Sequence, residues 1–207
     1  MGKASHYVGL YGWSSFKFSK NDIVFCDSIS LYFMARAFGF KLRYLPGSKS
    51  LKNLDQNSSE NIYLTPFFLN QFPEDLQFTL PMLSDVKAIP ETIIDWLNSK
   101  SGVKKIYIGI SSPKQNALGS LLAEKYDASI QCVGAAIIDA GTNDFALISK
   151  YSGSGLEWLV RGLKLPKRFF SKSSHIFIQI LKILLIKKTR KKFRTFLSKI
   201  DENNSIK

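Results

Sequence analysis

Lys105-Ile106-Tyr107-Ile108-Gly109-Ile110, followed by Ser111-Ser112-Pro113-Lys114-Gln115-Asn116, is the stretch whose reading decides the fold. The first six residues form a β-branched and aromatic run, preceded by Ser101-Gly102, and read as a buried strand. The next six are polar. Ser112 is suited to cap a helix, and Pro113 to fill its first position, where no amide hydrogen is needed. The helix that follows places Leu118, Leu121, Leu122 and Tyr126 on one side. A second strand is expected over 129–133, ended by Gly134. Strand, helix and strand in this order join two parallel strands, which need a crossover of this kind. Ligands in such sheets bind beyond the carboxyl ends of the strands. Residues 111–116 stand at such an end, beside helix amides that favour anions.

Working outward, a strand is expected over 23–26, ended by Asp27, and a helix over 28–38, stopped by Gly39. Another strand is expected over 61–64, and Pro90 opens a helix through Trp96 and Leu97 to near Lys100. Residues 1–20 give only a weak strand signal from Tyr7 to Tyr11, broken by Gly9 and Gly12. Pro46-Gly47-Ser48 reads as a surface turn. The alternation predicts an α/β protein: a mainly parallel, Rossmann-like sheet with flanking helices and a C-terminal basic helical appendage. The organisation expected is a core over 1–155, the appendage over 156–200 and a flexible tail over 201–207.

Composition narrows the function classes. At 45% hydrophobic with 16 Phe, the chain buries a real core and is not disordered. Cys26 and Cys132 each end an apolar run and read as reduced core thiols. His6 and His175 are the two histidines, and the sequence has no His/Cys cluster with zinc-ligand spacing. The net charge of +13 is uneven: residues 161–199 hold 13 Lys and Arg and no acid, and the rest holds 16 of each sign. Such asymmetry points to an anionic partner, membrane or nucleic acid. The N-terminus lacks a continuous apolar signal segment, and no apolar run approaches the roughly 20 residues of a membrane span. The expectation is a cytoplasmic protein, peripheral on the inner face of the cell membrane.

Ser111-Ser112-Pro113-Lys114-Gln115 resembles the Gly-Ser-Pro-Lys-Gln motif of the WecG/TagA/CpsF glycosyltransferases. Three further segments agree in order and approximate spacing: Val133-Gly134, Gly155-Leu156-Glu157-Trp158-Leu159-Val160-Arg161, and Pro166-Lys167-Arg168. Asp22-Ile23-Val24-Phe25-Cys26-Asp27 resembles the family's strand ending in Asp-Gly, with Ser28 in place of the glycine. The resemblance covers roughly residues 21–186. It implies Asp27 as catalytic base, and Ser112, Lys114, Gln115, Gly134, Arg161, Lys167 and Arg168 as substrate-binding residues. It implies a UDP-sugar donor of N-acetylmannosamine type and a polyprenyl-diphosphate-linked sugar acceptor, in bacterial surface polysaccharide synthesis. No cofactor is implied, and without any Asp-x-Asp no metal ligand is visible. The chain departs from the family in lacking its Thr-x-Asn turn, in Ile138 where an acid stands, and in Ala146-Leu147-Ile148 where Arg-Ala-Pro stands.

Plainer readings stand beside these. Asp27 would also serve as a cap for the helix after it. Ser112-x-x-Gln115 is also a capping box. Lys114 would serve equally as a solvated surface lysine, and Trp158 as a packing residue. From Pro166 the chain is helical, with Phe170, Phe177, Ile180, Leu181 and Leu184 on a wide apolar surface. Lys187 to Arg194 adds six basic residues, while Phe193, Phe196, Leu197 and Ile200 share another face, the pattern of an interfacial amphipathic helix. Three functions are thus in play: a membrane-associated inverting glycosyltransferase, a non-catalytic relative that partners glycan enzymes, and a nucleic-acid binder. Lysine clusters alternating with large aliphatics suit lipid rather than nucleic acid.

Overall fold

The computed structural model describes residues 2–20, 22–81, 86–140 and 166–205, and only the backbone of 166–172 and 203–205. The strands are β1 (Lys3–Val8), β2 (Asp22–Cys26), β3 (Asn61–Thr65), β4 (Gln77–Thr79), β5 (Lys105–Ile108) and β6 (Ser129–Cys132). The helices are α1 (Ile29–Ala37), α2 (Gly47–Ser50), α3 (Glu91–Asn98), α4 (Lys114–Lys125), α5 (Ala135–Ala140), α6 (Pro166–Leu185) and α7 (Lys187–Ser205). All six strands pair in parallel, in the order β2-β1-β6-β5-β3-β4. The expected α/β class with a parallel, Rossmann-like sheet holds.

Alternation along β1 explains how the layers form. Ala4 and Val8 point to one face of the sheet and Tyr7 to the other, as period-two side chains must. The first face carries α3 and α4 over an aliphatic cluster that includes Ile62, Ile106, Ile108 and Ile130. Gly119 lets α4 approach β6 closely; a Cβ there would lie 2.3 Å from Cys132 Sγ. At the β2 end of the sheet, α1 and α7 cover Val24 and Cys26. The opposite face packs Tyr7, Tyr63 and Tyr107 beneath α5 and the segment around Phe72. Cys26 and Cys132 are free, buried thiols.

Several boundaries differ from the sequence reading. The first strand is Lys3–Val8 rather than residues 7–11, and it lies inside the sheet. Its Ser5-His6-Tyr7 centre is polar and disguises it. Pro46-Gly47-Ser48 is no surface turn: Gly47 and Ser48 are buried in α2. α7 continues to Ser205, past the Asp201 where the tail was expected.

The largest correction concerns α7. Its apolar residues Phe193, Phe196, Leu197 and Ile200 do not face outward, as an interfacial helix would require. They are buried against Trp13, Phe16, Leu31 and Met34. Phe193 is fully buried, with its ring 5.0 Å from Trp13 and 5.5 Å from Phe38, both edge-on. This helix belongs to the core, and the expected appendage is built into it through Ile183 of α6 and the whole apolar face of α7. The exposed apolar row lies instead on α6: Phe177, Ile178, Leu181, Leu184 and Leu185, with Ile186 just beyond.

Candidate active site

The carboxyl edge of the sheet gathers most of the expected residues. β1 ends into the turn Gly9-Leu10-Tyr11-Gly12, closed by the Gly12 amide donating to the Gly9 carbonyl at 3.0 Å. This turn lies between the starts of α1 and α4. A Cβ on Gly9 would be 3.4 Å from Ser28 Oγ, and one on Gly12 would be 3.3 Å from Ser112 Oγ. Two helix N-termini, the positive ends of their dipoles, therefore flank one glycine turn.

Asp27 follows β2 and is half-buried. It does not cap α1. That is done by Ser28, whose Oγ accepts the Leu31 amide at 3.2 Å and the Leu10 amide at 3.0 Å. The Asp27 carboxylate instead accepts the Gly47 amide at 2.8 Å. Gly47 abuts Tyr7, the Val133 carbonyl and Asp27: a Cβ there would meet them at 3.5, 3.6 and 3.7 Å. The carboxylate is thus oriented by the first residue of α2 and sits beside the Val133-Gly134 corner. Beneath it, burial pushes the Tyr7 phenol up, so it remains a donor, here to Gln131 at 3.0 Å.

The start of α4 also differs from expectation. The helix begins at Lys114, with Pro113 in the capping position and no side-chain cap. Ser112 is not the cap, and the Ser112–Gln115 capping box does not form. Ser112 Oγ accepts from Asn116 Nδ2 at 3.2 Å, and Gln115 Oε1 is buried without a hydrogen-bond partner. Gln115 is directed at Gly134, where a Cβ would lie 3.2 Å from that oxygen. Gly134 has φ +57°, a conformation that favours glycine. Lys114 is half-exposed beside these groups. Asp27, Gly134, Ser112, Lys114 and Gln115 therefore share one sheet edge. Arg161, Trp158 and Ala146 lie outside the described residues, as do the side chains of Lys167 and Arg168. Ile138, where an acid was expected, packs on the tyrosine-rich cluster.

Sequence reasoning missed Gly12, Gly47, His6 and Asn116. The Gly9-x-x-Gly12 spacing was the one signal available. His6 and Asp22 form a fully buried pair, Nε2 to Oδ1 at 2.9 Å. Desolvation alone would lower the His6 pKa, but the neighbouring Cys132 and the Asp22 carboxylate outweigh it and raise the value from 6.5 to about 10. A proton held more tightly in the fold stabilises it fully below pH 6.5, and that contribution is lost as pH rises through about 10. Urea melts across this window should show falling stability, with a flatter profile for His6→Gln. Identical profiles for the two proteins would remove the pair from the stability of the fold.

No family model, curated protein or solved structure matches the chain.

Proposed function

We propose that this chain is an inverting, membrane-associated glycosyltransferase that moves a hexosamine-type sugar from a UDP carrier to a polyprenyl-diphosphate-linked acceptor. The observation that carries the reading is the meeting, on one sheet edge, of an anchored carboxylate and a helix start. Asp27, fixed by the Gly47 amide, stands beside the Val133-Gly134 corner against which Gln115 of α4 is packed. Asp27 takes the proton of the acceptor hydroxyl as its oxygen attacks the anomeric carbon. UDP leaves from the opposite side, and a single displacement inverts the centre. The charge that develops on the departing phosphate is met by the positive end of the α4 dipole and by Lys114. The family resemblance adds Arg161, Lys167 and Arg168 to that task. Turnover of any member of a UDP-sugar panel with a short-chain lipid-diphosphate acceptor supports the reading; a folded chain that turns over none contradicts it. That contradictory result would favour the non-catalytic relative, to which the packed Ile138 is suited.

Membrane docking follows from α6 rather than α7. No helix among the described residues is long and apolar enough to cross a membrane. The α6 row is exposed, 61% at Phe177 and 76% at Leu185, and it runs toward Lys187, Lys188, Arg190, Lys191 and Lys192. Apolar insertion and attraction to anionic lipid should add, the second at about 1 kcal/mol per basic residue. Leu181→Glu with Leu185→Glu should release the folded protein from anionic vesicles. Replacing Lys187, Lys188, Lys191 and Lys192 by Gln should weaken binding and flatten its salt dependence. Co-sedimentation that is equal on neutral and anionic vesicles at every salt would remove the electrostatic part.

A further inference from the structure

Asp22, His6, Asn116 and Ser112 form one hydrogen-bonded line from within the fold to the start of α4. Asp22 accepts from three donors: the Ser19 amide at 2.7 Å, the Ser120 hydroxyl at 2.9 Å and His6 Nε2 at 2.9 Å. The other ring nitrogen, Nδ1, lies 3.3 Å from Asn116 Oδ1. An imidazolium, which donates from both ring nitrogens, satisfies an oxygen on each side. The protonated Nδ1 in turn fixes the Asn116 amide, oxygen toward the ring and NH2 away from it. That NH2 donates to Ser112 Oγ at 3.2 Å. Ser112 already accepts, and its own proton finds no acceptor among the described residues. From a half-exposed position at the start of α4, that proton can be given to a bound anion.

Resting on the glycosyltransferase reading, we propose that His6 and Asn116 are positioning residues that set the polarity of Ser112, making its hydroxyl a fixed donor to a phosphate oxygen of the nucleoside diphosphate. With one proton fewer on the ring, Asn116 would be free to turn its NH2 toward Nδ1. Ser112 would then donate inward, to the amide oxygen, and present only lone pairs to an anion. A serine has a single proton to give, so the buried pair decides whether the helix start gains or loses a donor. The groups that face His6 are Asp22 on β2, Asn116 on α4, Cys132 on β6 and the Phe16 ring, edge-on at 5.2 Å.

Two measurements test this. His6 and His175 are the only histidines, so His175→Gln leaves the His6 ring alone in a ¹⁵N spectrum. Both ring nitrogens should be protonated at neutral pH; a singly protonated ring overturns the proposal. The second measurement is calorimetric binding of UDP to the full chain. Asn116→Asp keeps an oxygen for His6 but removes the NH2, so Ser112 turns its proton inward. Asn116→Asp and Ser112→Ala should each weaken UDP binding about ten-fold, the loss of one hydrogen bond to a charged group. The double variant should bind no more weakly than Ser112→Ala alone, and Ser112→Thr should restore binding. If Asn116→Asp weakens binding equally in the Ser112→Ala background, it acts through its charge and the proposal fails. Wild-type affinity in folded Asn116→Asp overturns it as well. A wild-type chain that binds no UDP overturns the transferase reading itself, and with it this role for Ser112.

Discussion

Asp27→Asn should leave a folded protein whose transfer rate has fallen about 10²–10⁴-fold, the contribution of a positioned general base. Folding should survive because the substitution keeps the contact with Gly47. Asn retains an oxygen for the Gly47 amide, now held at 2.8 Å. The cap of α1 is untouched, since Ser28 supplies it. What is lost is the capacity to take a proton from the attacking hydroxyl. Initial rates and a thermal melt on the same preparation separate the two roles. Unchanged turnover in the folded variant would reduce Asp27 to an anchor for the start of α2.

Phe193→Ala should cost about 3–5 kcal/mol of stability, the usual range for a buried Phe truncated to Ala. Against a typical total of about 5–15 kcal/mol that is a large share. Phe193 is fully buried and touches the rings of Trp13 and Phe38 from two other parts of the chain, and of Phe196 on its own helix. Removing its ring opens a cavity where α7 meets the sheet. Arg190 closes the junction between α6 and α7 by donating to the Ile183 and Leu184 carbonyls, so the helix has little room to settle inward. Urea denaturation measures the loss. A change below about 1 kcal/mol would mean that α7 does not depend on this contact. Truncation before Lys167 would carry the same penalty several times over, which is why membrane binding is better tested by substitutions on the outer row of α6.

The readable parts of the fold were those where one local pattern had one explanation. β2, β3 and β5 are largely apolar runs between breakers, β6 is a short alternating run before Gly134, and Gly39, with φ +87°, stops α1 as a glycine should. β1 was hidden because its polar centre is satisfied only by distant residues. His6 finds Asp22 and Asn116, and Tyr7 finds Gln131, across 16 to 124 positions of sequence. β4 has three residues, too few to show any period. The α7 pattern was legible but ambiguous: an apolar stripe on a basic helix suits a lipid surface and a protein core equally. Trp13 and Phe16, from the least readable part of the chain, decide for the core.

The candidate site divides in the same way. The strand ends at Asp27 and Gly134 and the start of α4 were visible locally, but the roles given to these residues came from the family resemblance. Their supports were not visible. Gly47 holds Asp27 from 20 positions away, and the line to Ser112 runs through His6, 110 positions from Asn116.

The most direct test of the central claim is the anomeric configuration of the product. The full chain would be incubated with anionic vesicles, a short-chain polyprenyl-diphosphate sugar and an α-linked UDP-hexosamine panel, and the product analysed by NMR. The expected result is a β-linked sugar on the lipid acceptor, formed by wild type and absent with Asp27→Asn. A product that retains the α configuration, or no product from any donor with the folded wild-type chain, would contradict a single displacement driven by Asp27.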